Sequence, residues 1–224
     1  MEKHKVQILE VFPVTYDVKC FRTEKPDNYT FEPGQATEVF LDSEEWKDEG
    51  RPFTFTNQPE DTYLEFIIKE YPDHEGVTRE LHTLNPGDHL LVSEVFGAIK
   101  YSGPGLFIAG GAGVTPFISI LRKLYKENET DHNSMIFANR TSADIIIHDE
   151  LRDILGDRLV NILSDESSDK YRSGMVSREL IVDHLKRPHE KIYLCGPPPM
   201  MEAVHKHLTE LEISDDSIIE EEFE

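Results

Sequence analysis

Leu106-Phe107-Ile108-Ala109-Gly110-Gly111-Ala112-Gly113-Val114-Thr115-Pro116-Phe117 is the stretch on which the reading of this chain turns. An apolar run enters a cluster of glycines and leaves through Thr115 and Pro116 into a segment with helical spacing. Apolar residues without polar alternation fit a strand covered on both faces, as in a parallel sheet. Glycine allows a sharp turn and lets a ligand approach the backbone closely. The helix start that follows offers unpaired N–H groups and a partial positive charge, a combination suited to phosphate. Pro116 fits the first helical turn, where its missing N–H costs nothing. The pattern departs from Gly-x-Gly-x-x-Gly, because Pro stands at 116. The strand–glycine–helix context still favours a nucleotide phosphate site over a turn that needs glycine for packing alone.

Downstream of it, strands and helices alternate. Strands are expected at 106–109, 134–138, 159–163 and 191–195, and helices at 115–126, near 149–155, at 178–185 and at 198–211. This is the signature of a parallel sheet covered on both faces. A second strand-to-helix turn reads Cys195-Gly196-Pro197-Pro198-Pro199, at what must be the same carboxyl edge of the sheet, where ligands of open α/β sheets bind. Cys195 would then share a crevice with Gly110–Gly113.

Upstream, the pattern is different. Short strands rich in Val, Ile, Phe and Thr are expected at 6–11, 18–22, 37–41, 52–56, 63–69 and 89–95, separated by turns such as Pro33-Gly34 and Asn85-Pro86-Gly87-Asp88. In one of them Leu64, Phe66 and Ile68 alternate onto one face. One short helix begins near Thr78, a candidate N-cap, with Leu81 and Leu84 facing inward. Strands at this spacing predict an antiparallel barrel or sandwich. An antiparallel β-barrel or sandwich is therefore followed by an α/β unit, divided as residues 1–103 and 104–224.

The composition excludes several functions. Forty-four acidic against 23 basic residues give a formal charge of −21, which disfavours nucleic acid and anionic membrane as partners. The surplus serves solubility, or an acidic face that docks a basic partner. No apolar run approaches the roughly 20 residues of a membrane span, and no secretory signal opens the chain, so a cytoplasmic location is expected. Two cysteines, Cys20 and Cys195, are too few for an iron–sulfur cluster, which usually takes four. The histidines show no metal-ligand spacing; His205 and His207 fall on different helix faces. No metal is expected.

Two further segments stand out. Arg51-Pro52-Phe53-Thr54 places a cation, a ring and a hydroxyl on one barrel strand, with Arg51 and Phe53 on the same face. Gly76-Val77-Thr78 precedes the barrel's helix. Each alone reads as ordinary structure: an edge strand with an exposed arginine, and a helix cap.

Together and in this order, the four segments resemble the ferredoxin–NADP reductase-like flavoprotein superfamily, without an iron–sulfur domain, over nearly the whole chain. The resemblance implies an antiparallel Greek-key flavin-binding barrel followed by a parallel-sheet nucleotide-binding domain. Arg51 would hold the flavin phosphate, Phe53 pack by the ring in place of the usual tyrosine, and Thr54 reach the reactive flavin nitrogen. Gly76, Val77 and Thr78 would bind flavin phosphate. Gly110, Gly111, Gly113, Thr115 and Pro116 match the pyridine-nucleotide pyrophosphate loop. Cys195 and Gly196 match the motif that sets a thiol beside the nicotinamide, so that Thr54 and Cys195 would be the catalytic residues. Phe223 would be a terminal lid over the flavin or an edge anchor.

The resemblance favours FAD over FMN, although the stretch from Arg51 to Gly76 holds no extra loop for an adenine. Both NADPH and NADH are open as co-substrate. Arg140, after the second strand of the α/β half, leans towards NADPH, since arginine pairs with a 2′-phosphate. The implied activity is NAD(P)H-dependent reduction of a separate acceptor: flavodoxin, ferredoxin, a haem protein or a small molecule. Competing readings are a non-catalytic electron-transfer subunit or redox sensor, and a flavin-free dehydrogenase, which would leave the barrel unexplained.

Overall fold

The computed structural model describes residues 2–71, 76–185 and 191–221. Six strands, β1 (His4–Pro13), β2 (Val18–Glu24), β3 (Ala36–Leu41), β4 (Arg51–Thr54), β5 (Tyr63–Lys69) and β6 (His89–Phe96), form an antiparallel sheet ordered β4-β3-β6-β1-β2-β5. Just past β4, the Thr56 N–H donates to the Glu65 carbonyl at 2.9 Å, drawing the two edge strands together and curling the sheet into a barrel. Phe21, Val39, Phe55, Leu64, Phe66 and Leu90 fill the interior.

The alternation in β5 holds inward but not outward. Leu64, Phe66 and Ile68 point into the barrel as expected. The opposite face is buried too, because the second half of the molecule packs on it: Ile67 joins a shared core, and Glu65 is only 2% exposed. Helix α1 (Val77–Leu81) starts earlier than the sequence suggests. Gly76 occupies the N-cap position, no side chain caps the helix, and Thr78 lies within its first turn. Fully buried Val77 anchors that turn in the barrel core.

The second sheet is parallel, with β7 (Gly105–Gly110), β8 (Ser134–Asn139), β9 (Leu159–Leu163), β10 (Arg172–Ser173), β11 (Lys191–Cys195) and β12 (Ile218–Glu220) in the order β10-β9-β8-β7-β11-β12. Helices α2 (Thr115–Lys126), α3 (His148–Leu155), α4 (Arg178–His184) and α5 (Pro198–Glu210) accompany it. From β7 the chain steps outward through β8 and β9, then returns to β11 on the other side of β7. The winding reverses between β7 and β11, and ligands of such sheets bind outside the carboxyl ends at that point. Strands β10 and β12 have no sequence signature; each is a short edge piece recruited by its neighbour.

No strand is shared between the sheets: β6 ends at Phe96 and β7 begins at Gly105. The apolar core is shared, however. Val18, Cys20, Ile67 and Ile99 pack in one cluster with Phe117, Ile120 and Leu121 of α2. This helix lies between barrel and sheet and is buried along most of its length, as expected of a helix apolar on more than one face. Its Arg122 crosses the boundary, donating to Glu65 Oε1 at 2.7 Å and to the Thr56 carbonyl at 2.8 Å. Glu65 also accepts from Arg22 Nε at 2.9 Å and from the Thr56 hydroxyl at 2.9 Å. Burial alone would raise the Glu65 carboxyl, but Arg122 and Arg22 outweigh it and hold it below the usual range.

Candidate active site

A cleft of about 730 Å³ runs between the two halves. Arg51, Phe53 and Thr54 of β4, with Thr78 of α1, line the barrel side. Gly110, Gly111, Gly113, Thr115, Arg140, Cys195 and Gly196 line the other. Residues singled out in separate parts of the sequence thus converge on one space. Val77 and Pro116 are buried behind its walls, Gly76 precedes Thr78 without lining it, and Phe223 lies outside the described residues.

The two strand-to-helix turns touch, and glycine is what allows it. A Cβ on Gly113 would lie 2.6 Å from the Cys195 carbonyl carbon and 2.7 Å from the Gly196 nitrogen. The first turn also differs from the expected helix start. Gly111–Val114 form a 3₁₀ turn that runs straight into α2, and the Thr115 hydroxyl donates to the Ala112 carbonyl at 3.0 Å instead of capping. The unpaired amides of the helical run therefore belong to the glycine segment, upstream of Thr115 and Pro116.

Cys195 ends β11 and is 3% exposed. Burial pushes its thiol up to about 12, with the negative charge of Glu221 adding to the effect. At neutral pH it is a compact, uncharged S–H. Glu221 itself was missed by sequence reasoning, which singled out only Phe223 in this segment. The parallel pairing of Leu194 with Glu220 sets Glu221 level with Cys195. Its Oε2 is buried without a hydrogen-bond partner among the described residues, and burial raises its carboxyl. Only the pairing register reveals it, since in sequence it is one acid among several.

Other polar groups line the cleft. Asn139, at the end of β8, is buried with neither amide atom hydrogen-bonded among the described residues. Native interiors rarely leave such a group unsatisfied, and here a polar ligand would satisfy it. Lys69 Nζ lies 2.7 Å from Asp17 and 3.9 Å from Asp144, which also accepts the Tyr16 hydroxyl at 2.8 Å. Arg140 reaches the cleft, but its Nε is held by Asp165 at 2.9 Å. The adjacent Glu166 accepts from both the backbone and the hydroxyl of Ser142.

Among the described residues, no group of three or more His, Cys, Asp or Glu is disposed to hold a metal ion, and no helix is long and apolar enough to cross a membrane. The barrel and the parallel sheet face each other across one cleft, at the point where the winding reverses, and residues of both halves line it as a single candidate site. Comparison with known proteins gives the family. The profile described as "Oxidoreductase NAD-binding domain" matches residues 107–206. The chain is 31% identical over 186 residues to NADH-cytochrome b5 reductase 2 of Mus musculus, covering 70% of this chain and 67% of that protein. It is 27% identical over 216 residues to the reductase component of propane 2-monooxygenase from Mycolicibacterium smegmatis, covering 89% and 61%. The flavohem-like FAD/NAD-binding domain of nitric oxide dioxygenase from Vibrio cholerae shares the fold, with a TM-score of 0.85 at 22% identity over 97% of each chain. The chain belongs to the ferredoxin–NADP reductase-like flavoprotein superfamily. It spans 61% to 67% of the length of the first of these curated relatives.

Proposed function

We propose that this chain binds FAD against β4, takes electrons from NADH held by the two glycine turns, and passes them to a separate acceptor. The observation that carries the reading is the single cleft lined by both Thr54 and Cys195. Hydride transfer needs the two rings in van der Waals contact, and a protein contributes chiefly by holding them so. The residues present fit the groups. Arg51 is exposed at the mouth, its guanidinium bonded to the Gly50 carbonyl at 2.8 Å and open to a phosphate. Phe53 is packed on the barrel core and offers ring surface, and Thr54 offers a hydroxyl.

A flavin bound there supplies acceptance of two electrons and their onward release one at a time. The chain supplies position. Thr54 would hydrogen-bond the ring edge, and Thr78 with the first turn of α1 would hold the flavin phosphate. Gly111 and Gly113 let the pyrophosphate of the nucleotide approach the backbone. Cys195 stays protonated and shapes the nicotinamide pocket as a soft, small wall.

NADH is favoured over NADPH because the one cation at the end of β8, Arg140, is already paired with Asp165, and Glu166 stands beside it. Carboxylates there accept from a ribose hydroxyl and repel a 2′-phosphate. For the acceptor, a charge of −21 favours a partner with a basic docking face, as steering between like-charged proteins would slow encounter. The free cysteines suit a reducing compartment, and a cytoplasmic location is the accompanying reading. In the decisive experiment, the purified protein is yellow, releases FAD on denaturation, and is bleached anaerobically by NADH faster than by NADPH. A protein that carries flavin but ignores both nucleotides would leave only an electron-transfer subunit or sensor.

A further inference from the structure

Away from the cleft, a hollow of about 270 Å³ opens at the outer edge of the parallel sheet, lined by His148, Arg152, Asp157, Asn161, Lys170 and Arg172 among others. Its floor is an unfinished sheet edge. β10 pairs only with Ile162 and Leu163, so Leu159, Val160 and Asn161 have β8 on one side and no strand on the other among the described residues.

The charge around this hollow runs against the molecule as a whole. Acids outnumber cations 44 to 23, and Lys5, Arg22, Arg122, Lys126 and Arg140 each lie in an ion pair. Arg152, Lys170 and Arg172 lie in none among the described residues, and Asp157 is the one carboxylate in the lining. With Asp149, which lies near enough to feel both Lys170 and Arg152, three cations face two acids and leave a local charge of +1 on a molecule of −21, with His148 uncounted. The neighbouring Asp149 is bound by His148 Nδ1 at 2.9 Å, and His148 Nε2 is 3.3 Å from the Tyr171 hydroxyl, which fixes one wall. Asn161 gives a second, independent sign. It is 7% exposed, and its buried side-chain oxygen has no hydrogen-bond partner among the described residues. A buried amide left unsatisfied beside unpaired cations marks a place where a polar ligand completes the structure.

We propose that this hollow binds the phosphate group of a small phosphorylated metabolite, at a site separate from the nucleotide cleft. Two guanidinium forks match phosphate oxygens in geometry, an ammonium adds charge, and the unsatisfied Asn161 oxygen accepts from a hydroxyl on the skeleton that carries the phosphate. The volume is below the usual range for sites that enclose drug-sized ligands, so it admits a phosphate on a short skeleton and not a dinucleotide. Lys170 and Arg172 belong to the segment 164–174, whose ends, Ser164 and Gly174, line the cleft. The phosphate of the nucleotide itself is thus the competing source, and the test separates the two.

The flavin-loaded protein is titrated calorimetrically with inorganic phosphate at constant ionic strength, with and without saturating NAD⁺. The expected result is saturable binding of one phosphate per chain, unaffected by NAD⁺ and weakened about tenfold or more in the double variant Arg152→Gln/Arg172→Gln. Both arginines are exposed and unpaired, so flavin content and melting temperature should match the parent; if the double variant does not fold, Lys170→Gln carries the same test. Absence of saturable binding, or equal affinity in parent and variant, overturns the proposal. Loss of phosphate binding on adding NAD⁺ also overturns it, by assigning the anion to the cleft. The site does not depend on the reading of the cleft, because the titration without NAD⁺ stands alone.

Discussion

Gly113→Ala puts the arrangement of the cleft to a direct test. The new Cβ would meet the Cys195 carbonyl oxygen first and lie 2.6 Å from the carbonyl carbon, against the 3.4 Å at which ordinary contact begins, so one turn must give way by about 1 Å. The obstructing atoms are backbone on both sides, so no side chain can swing aside. Overpacking of this kind costs about 1–3 kcal/mol, and for a protein of this size each kcal/mol lowers the melting temperature by roughly 2–4 °C. The functional effect is larger. A displacement near 1 Å between reacting groups costs on the order of 100-fold in rate. The assay is anaerobic stopped-flow bleaching of the flavin by NADH, with flavin content measured separately. Flavin retention should stay close to parental, since β4 is untouched, while bleaching slows by about two orders of magnitude. A Gly113→Ala protein that bleaches at the parental rate with the same half-saturating NADH would refute the claim that these two turns jointly set the position of the nicotinamide.

Four further outcomes are expected. Arg51→Ala should weaken FAD binding by about 10- to 100-fold, the worth of one charged hydrogen bond; equal affinity by fluorescence titration removes the assignment of that strand. Cys195→Ala should retain flavin but bleach more slowly, and in the parent the folded thiol should resist iodoacetamide at neutral pH, since burial keeps it protonated up to about 12; rapid alkylation contradicts this. Asp165→Ala should release Arg140 and raise the NADPH-to-NADH ratio of kcat/KM by about tenfold, given that one lost repulsive charge is worth roughly a factor of ten; an unchanged ratio counts against the proposed nucleotide preference. Glu65→Gln should cost about 1.5–3 kcal/mol by weakening the charged hydrogen bonds from Arg122 and Arg22, which keep Glu150 and Glu10 as their remaining carboxylate partners. The folded-state carboxyl of Glu65 is depressed, so its contribution is present above the unfolded carboxyl value and is lost as pH falls through the folded one. The variant should therefore show a flatter acid limb in melting temperature against pH, and parallel limbs would deny Glu65 that role.

Local grammar carried most of the fold. The run from Leu106 to Phe117 announces a buried parallel strand and a ligand turn because glycine and proline restrict what a backbone can do. The alternation of Leu64, Phe66 and Ile68 likewise shows one face of β5. What local grammar misses is decided by distant partners. Glu65 reads as a solvated strand residue, yet it is buried because Arg122, far along the chain, arrives to meet it. Glu221 comes level with Cys195 only through the pairing of β12 with β11. Arg140 looks like a phosphate ligand until Asp165 is found at its side. Thr78 has the composition of a cap, but the burial of Val77 fixes the turn and leaves it a different job.

The sharing of one apolar core by both halves limits how the molecule can move. Hinged opening would have to expose Val18, Ile67 and Ile99 and separate Arg122 from Glu65, so wholesale gaping is not an available route for ligand exchange. The nucleotide must come and go past the rim, where Met175 stands exposed. Severing the chain between Phe96 and Gly105 would give two pieces, each wearing on its outside a greasy surface shaped for the other.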